Sequence, residues 1–351
     1  PMGGDRDESL ELAGKELSSR EPNVGGVPMG GDRDESLELA GKELSSREPN
    51  VGGVPMGGGS DRDDALDLAA RELMHGRYIY YPKTYHGNRI SPLPGAVFLS
   101  APFVLIGKSA YQNLFWLLIL FLTIRFYLKD GRLALLVFWS IFALSPVALQ
   151  QLVTGGDLLA NVIYVLAFTL LLISVTRSPD ANIWVKIMSA ILLGIGLSSR
   201  ANFLLVLPLV FSLLGQNIGW REAAKYSAIV LVTFAAVTLP FYLYDPEGFT
   251  PLATQSWKVA YHPILPSAGI TIPFVAGFLT LALMFQRMSG DCRVLLRNCA
   301  IVQFLLYAFM LTLPILDSGR LIFGVHGYGL NFMLFGVVAA WVYLIKGVSR
   351  E

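Results

Sequence analysis

A chain of 351 residues carrying 27 Lys+Arg against 26 Asp+Glu has a formal net charge of +1, and 54% of its residues are hydrophobic while only 15% are charged. With a mean hydropathy of +0.54, that balance excludes an ordinary soluble domain and makes this an integral membrane protein; no nucleic-acid partner is expected. The two cysteines, Cys292 and Cys299, stand seven apart on one apparent helical stretch, which gives neither a disulfide framework nor a metal quartet and reads as two packing thiols.

Charge is unevenly distributed along the chain. Residues 1 to 93 hold 11 of the basic residues and 17 of the acidic ones, leaving 16 and 9 for the rest. Residues 1 to 27 recur unchanged at 28 to 54, and a third copy begins at Pro55 with "PMGG". Identical tandem copies point to recent duplication or engineering, since an old structural repeat drifts. Asp5–Leu17 aligned with Asp61–Leu73 gives eight identities in thirteen positions, so residues 1 to 54 read as two extra hydrophilic copies of the segment that follows. Each copy has an amphipathic pattern, Leu10, Leu12 and Leu17 in the first, and then a Pro/Gly-rich break. No apolar segment of signal-peptide type lies in the first 60 residues.

The next region, 55 to 93, is an acidic loop. "DRDDALD" places Asp61, Asp63, Asp64 and Asp67 within seven positions. Leu66, Ala69, Ala70 and Leu73 then follow at i, i+3, i+4 and i+7, the pattern of a helix lying flat on a bilayer with its acids in the first turn. Two readings of those acids stand side by side. They are solvated groups favoured at a helix N-terminus, or one is a general base at the membrane boundary with its pKa raised by partial desolvation. "SPLPG" at 91 to 95 turns the chain toward the membrane.

From 94 to 351 the expectation is an all-α bundle of about nine to ten transmembrane helices. Nine charge-poor runs, 110–128, 133–153, 158–176, 183–199, 201–215, 226–244, 268–286, 298–316 and 325–345, compare with the roughly 20 residues that a span needs. Residues 94 to 107 are only 14 long with two prolines and read as a re-entrant or tilted half-span. Alternating the nine spans puts Lys129, Arg132, Arg177, Lys186, Arg221, Lys225, Arg287, Arg293, Arg297, Lys346 and Arg350 on one face. Lys108, Arg200, Lys258 and Arg320 fall on the other. The basic-rich face is cytoplasmic. Residues 155–157, 198–200, 245–267 and 317–320 then face outward, and the acidic loop joins them if 94–107 does not cross. The expected location is a plasma (inner) membrane with the active site outside.

The acidic motif, the amphipathic helix running into "HGRYIYY", the Pro-Leu turn, "GGDLLAN" at 155 to 161 and "GIGLSSRANFLLVLP" at 194 to 208, in that order, resemble the GT-C superfamily of membrane glycosyltransferases, mannosyltransferase-like members among them. The likeness covers 61 to about 320. It implies a polyprenyl-phosphate-linked sugar donor, a lipid, glycan or protein acceptor, and inverting transfer on the extracytoplasmic side. It also implies a base in the first outer loop, matching Asp63 best, with Asp64 adjacent and Asp61 as competitor. A second outer acid matches Asp157, which would orient the acceptor or bind a divalent metal ion; metal use varies within the superfamily. Arg200, between two spans, suits the donor phosphate, since a guanidinium grips phosphate oxygens in a fork; simple snorkelling is the bland reading. The family's first spanning helix is expected ahead of the acidic loop, where two hydrophilic repeats stand instead.

Lys258 and His262, with Trp257 and Tyr261, read as interface anchors or as a wall of the sugar pocket. Arg320 and His326 are further substrate-binding candidates, His75 and His86 read as surface residues, and "GIG" at 194 to 196 reads as helix packing. The competing classes are a transporter or flippase of lipid-linked sugars, which calls for charges inside the spans and an internal inverted repeat, and a non-catalytic membrane scaffold.

Overall fold

The computed structural model describes residues 61–85, 87–252, 268–286, 291–319 and 327–348, all within the second of the two units into which the chain divides, Gly52–Glu351. Among them the only β feature is an isolated bridge between Lys83 and Arg89; everything else regular is helical. In chain order the helices are α1 Asp61–Met74, α2 Pro94–Leu105, α3 Gln112–Leu128, α4 Gly131–Leu144, α5 Pro146–Thr154 and α6 Asp157–Arg177. They continue with α7 Ile183–Leu197, α8 Val206–Ile218, α9 Trp220–Tyr244, α10 Ala268–Met284, α11 Cys292–Ser318 and α12 Gly329–Val348.

Local chemistry sets many of these boundaries. Asp130 caps α4 by accepting from the amides of Arg132 and Leu133, Ser145 caps α5 through the Ala148 amide, Asn182 caps α7 and Asp291 caps α11. Helix α3 ends on Lys129 in the left-handed region, φ 56°. Pro146 opens α5 at its first turn, where a proline costs no hydrogen bond.

Five helices among the described residues are long and apolar enough to cross a membrane: Ser109–Leu128, Asp157–Arg177, Ala201–Ile218, Trp220–Tyr244 and Cys292–Leu316. A sixth crossing results if α4 and α5 count as one broken span. Within the described residues all nine charge-poor runs are helical, but the second of them is not straight. It bends by 88° between α4 and α5, because the Ser145 cap and Pro146 stop one helix and start another. In three other runs the apolar helical stretches, Ile183–Leu197, Ile270–Met284 and Gly329–Ile345, are shorter than 18 residues.

Helix α6 is the axis of the bundle, with Leu158 through Leu166 buried almost without interruption and α3, α7, α8 and α12 packed around it. Large apolar side chains elsewhere point outward: Leu114, Leu118, Phe126, Trp139, Val232, Leu243, Phe274 and Phe278 are all exposed. In water so much apolar surface would drive association, whereas in a bilayer it is the lipid-facing surface. Between helices, small residues permit close approach. Gly194 of α7 faces Thr233 and Val230, and Gly196 faces Phe168, so "GIG" is helix packing. Cys292 and Cys299 are buried and unbridged.

Helix α2 does not cross the bundle. At its start the Gly95 amide donates to the Ser198 carbonyl at 2.8 Å, just past the end of α7. A Cβ on Gly95 would stand 2.2 Å from the Ile195 carbonyl, so only glycine allows that approach. Past its other end, the Ser109 hydroxyl donates to the Asp63 carbonyl at 3.2 Å and the Ser109 amide donates to the Asp67 carboxylate at 2.7 Å. Asp63 in turn faces the turn that opens α6. Both ends of α2 therefore meet the same end of the bundle, where α6 begins and α7 finishes.

The expected bilayer-surface helix is corrected in one respect. The apolar face of α1 is covered by protein: Leu66, Ala69 and Ala70 are fully buried in a cluster with Ile79, Tyr80, Ile90, Ala96 and Val97. Helix α2, laid beside α1, takes the place that lipid was expected to fill.

Candidate functional site

The acidic motif forms the first two turns of α1, and three of its four aspartates brace the surrounding loops. The Asp61 carboxylate accepts from the Asn88 side chain at 2.9 Å, the Asp64 carboxylate from the Tyr85 amide at 2.7 Å, and Asp67 from the Ser109 amide. Asp63, half-buried, is directed differently. Its carboxylate lies 3.4 Å from where a Cβ on Gly155 would stand, against the Gly155–Gly156–Asp157 turn between α5 and α6. Gly155 has φ 72°, and a Cβ there would also lie 2.6 Å from the Ala110 methyl, so the turn needs glycine both for its backbone and for its contact.

Asp157, the first residue of α6, has no exposed surface, and Arg200 is only 7% exposed. The Arg200 guanidinium donates to one Asp157 oxygen and forms an ion pair with it. Burial works against the charge on Arg200, and the Asp157 carboxylate more than offsets it, holding the guanidinium above its ordinary pKa. The same Asp157 oxygen accepts from the Asn161 amide at 2.9 Å, and the Tyr164 hydroxyl donates to the Asn161 carbonyl oxygen at 2.6 Å, which fixes the carboxylate along α6. The other Asp157 oxygen is 3.8 Å from a terminal nitrogen of Arg62 in α1.

Both guanidiniums lie over one aromatic ring. The carbon at the centre of the Arg62 group is 4.8 Å from the centroid of Tyr328, and that of Arg200 is 5.8 Å away, a cation–π arrangement. Each keeps a buried N–H without a hydrogen-bond partner, Nη1 of Arg62 and Nε of Arg200. Arg200 and Tyr328 line a cleft with Ser91, Leu93, Asn202 and Leu252. Its floor is tied to α11 by a reciprocal pair: the Asn202 side chain donates to the Gln303 side chain at 2.7 Å, and Gln303 donates back to the Asn202 carbonyl at 3.1 Å.

Tyrosines cluster between the acidic loop and the end of α9. The Tyr78 hydroxyl donates to the carbonyls of Phe241 and Asp245 at the end of α9, at 2.9 and 3.1 Å, and its ring stacks on Tyr244 at 5.1 Å. Burial, helped by Asp245, pushes the Tyr78 hydroxyl well above the usual phenol range. It is a fixed donor that ties the acidic loop to the bundle.

Of the residues named from sequence, Asp61, Asp63, Asp64, Asp157 and Arg200 gather at this one end. Lys258, His262 and Arg320 lie outside the described residues, as do His86 and His326. His75 is exposed and bonded to the Arg71 carbonyl at 2.7 Å, a surface role. Arg62 and Tyr328 were not singled out. Arg62 is enclosed by aspartates in "DRDD" and reads as their local counterion, and nothing in "GYGLNF" marks Tyr328. Among the described residues no group of three or more His, Cys, Asp or Glu is placed to hold a metal ion.

Fold and site together define a multi-pass helical membrane protein with a charged cleft at one end of its helices. No protein-family description, curated protein or solved structure matches the chain.

Proposed function

We propose that the chain is a GT-C-type membrane glycosyltransferase that moves a sugar from a polyprenyl-phosphate donor onto an acceptor hydroxyl, with inversion, on the extracytoplasmic face of the plasma (inner) membrane. In this reading all nine helical runs cross the bilayer, α4 and α5 as one broken span, and the acidic loop is external. One observation carries it: an acidic-loop carboxylate, Asp63, and a buried guanidinium, Arg200, flank the same Gly-Gly-Asp turn although they are far apart in sequence.

Asp63 takes the proton of the acceptor hydroxyl as that oxygen attacks the anomeric carbon. Asp61, Asp64 and Asp67, each occupied by a loop donor, hold α1 so that Asp63 faces the turn. Arg200 binds the donor phosphate, and Asp157 is its positioning residue, fixing the guanidinium from the buried side. A phosphate leaving group needs cationic stabilisation and no nucleotide, which suits an outer face. The apolar flanks of the bundle offer the polyprenyl tail a lipid-like surface.

The test is sugar transfer from polyprenyl-phosphate donors by the purified chain and by Asp63→Asn. Loss of a general base lowers the rate by roughly 10² to 10⁴. Full transfer by Asp63→Asn would remove the base. Transfer by none of the preparations, with every common hexose donor, would remove the enzyme class and favour a transporter or scaffold.

A further inference from the structure

Among the described residues, Arg62 is the cation of the site whose charge is not already committed to a hydrogen-bonded partner. Arg200 is bonded to Asp157, whereas Arg62 stands 3.8 Å from the other Asp157 oxygen, beyond hydrogen-bond reach, with its nearer terminal nitrogen buried and unpartnered. Both guanidiniums rest on Tyr328, and Arg200, more than nine-tenths buried, keeps its Nε free of partners beside the cleft. Arg62 and Arg200 thus share one buried carboxylate, Asp157, and each keeps an unused donor where Tyr328 borders the cleft.

Resting on the proposed glycosyl transfer, we infer that Arg62 takes up the second negative charge that develops on the leaving phosphate, so that the site binds a lipid phosphomonoester more tightly than the phosphodiester donor. The chemistry requires a change of charge. In the donor, phosphate is a diester with one negative charge. During transfer the bond from the anomeric carbon to the phosphate oxygen breaks and its electron pair stays on that oxygen. The acceptor oxygen bonds to the carbon, and its proton passes to Asp63. The product is a phosphomonoester with a second pKa of about 6 and a charge near −2 at neutral pH. Arg200, its charge already balanced by Asp157, holds the phosphate through its N–H donors, and Arg62 answers the second charge only as the bond breaks, the condition for lowering the barrier rather than merely binding substrate. Arg62 is thus a catalytic residue of the leaving-group side, and the released lipid phosphate is a product inhibitor.

The experiment compares binding of a short isoprenoid monophosphate and its methyl phosphodiester to the full chain in detergent micelles. Wild type is expected to prefer the monoester by about tenfold, the worth of one charge-assisted contact, at pH 8. The preference should fade toward pH 5, where the monoester carries one charge. Arg62→Gln should bring the ratio near one while leaving diester affinity within about twofold. Arg62→Lys should keep part of the preference, and Arg200→Gln should weaken both ligands. An unchanged ratio in Arg62→Gln, or a wild-type preference that does not respond to pH, overturns the role of Arg62 alone. Wild type binding both lipids equally does the same. Binding of neither lipid by folded wild type overturns the proposed function itself.

Discussion

Asp157 and Arg200, 43 positions apart, form a buried ion pair beside the cleft, where α6 begins and α7 ends. Such a pair is not a cheap source of stability, because desolvating both charges offsets most of their attraction, yet removing one partner strands the other in a poorly hydrated place. Asp157→Asn and Arg200→Gln are therefore each expected to destabilise the protein by about 3 to 5 kcal/mol. The double replacement should cost less than the two singles added, by about 1 kcal/mol or more. Thermal unfolding of the four proteins in one detergent gives the cycle; strict additivity would mean that the two charges act independently.

The acidic loop makes a different kind of prediction, since its four aspartates have separable tasks. Asp61→Asn, Asp64→Asn and Asp67→Asn each remove a charge from a hydrogen bond to a loop while leaving an oxygen able to accept. Each should cost no more than about 1 kcal/mol of stability and keep most of the transfer activity. Asp63→Asn should keep stability and lose transfer. Parallel unfolding and transfer measurements check the split, and activity lost equally at all four positions would mean that the loop acts only as a unit.

Much of this arrangement was legible in the sequence, and what was not has physical causes. The α1 helix followed from its acids and its i, i+3, i+4 apolar spacing, and Gly-Gly-Asp and Ser-Ser-Arg stood out as polar groups between apolar runs. Averaging over charge-poor runs hid the 88° bend, although Ser145 and Pro146 together are a stop and start signal. Amphipathicity told that α1 buries one face but not what covers it, because lipid and the apolar α2 satisfy the same pattern. Arg62 and Tyr328 were missed because their roles come from tertiary placement: an arginine among aspartates looks neutralised until α1 is docked against α6.

The turn beneath Asp63 is a backbone feature and can be tested without touching a charge. Gly155→Ala forces a side chain onto a residue with φ 72° and drives its Cβ to 2.6 Å from the Ala110 methyl. The conformational cost is about 1 kcal/mol, and the clash must add to it by pushing Ala110, and with it Ser109 and α1, away from α6. The expected result is a modest loss of thermal stability with a disproportionate loss of transfer. A second replacement, Ala110→Gly, opens space for the new methyl and should recover part of the activity. No recovery would indicate that Gly155 matters for its own backbone alone.

The sidedness of the cleft follows from the path of the chain and is open to a direct chemical measurement. Helix α2 begins and ends at the site end, so the acidic loop shares a face with Asp157, Arg200 and the end of α9, while Lys129, Asp130, Ser178 and Asn182 cap the opposite ends of α3, α4, α6 and α7, with Asp180 in the turn between the last two. Cys292 and Cys299 are buried and give little background to a membrane-impermeant maleimide. Tyr85→Cys, at a position 81% exposed, should react in intact cells, whereas Asp180→Cys should react only after permeabilisation. The positive-inside distribution of Lys and Arg sets that direction. Labelling of both positions, or of neither, in intact cells would contradict the alternation of the helices; reversed labelling would keep the fold and turn the cleft toward the cytoplasm, where nucleotide-sugars compete as donors.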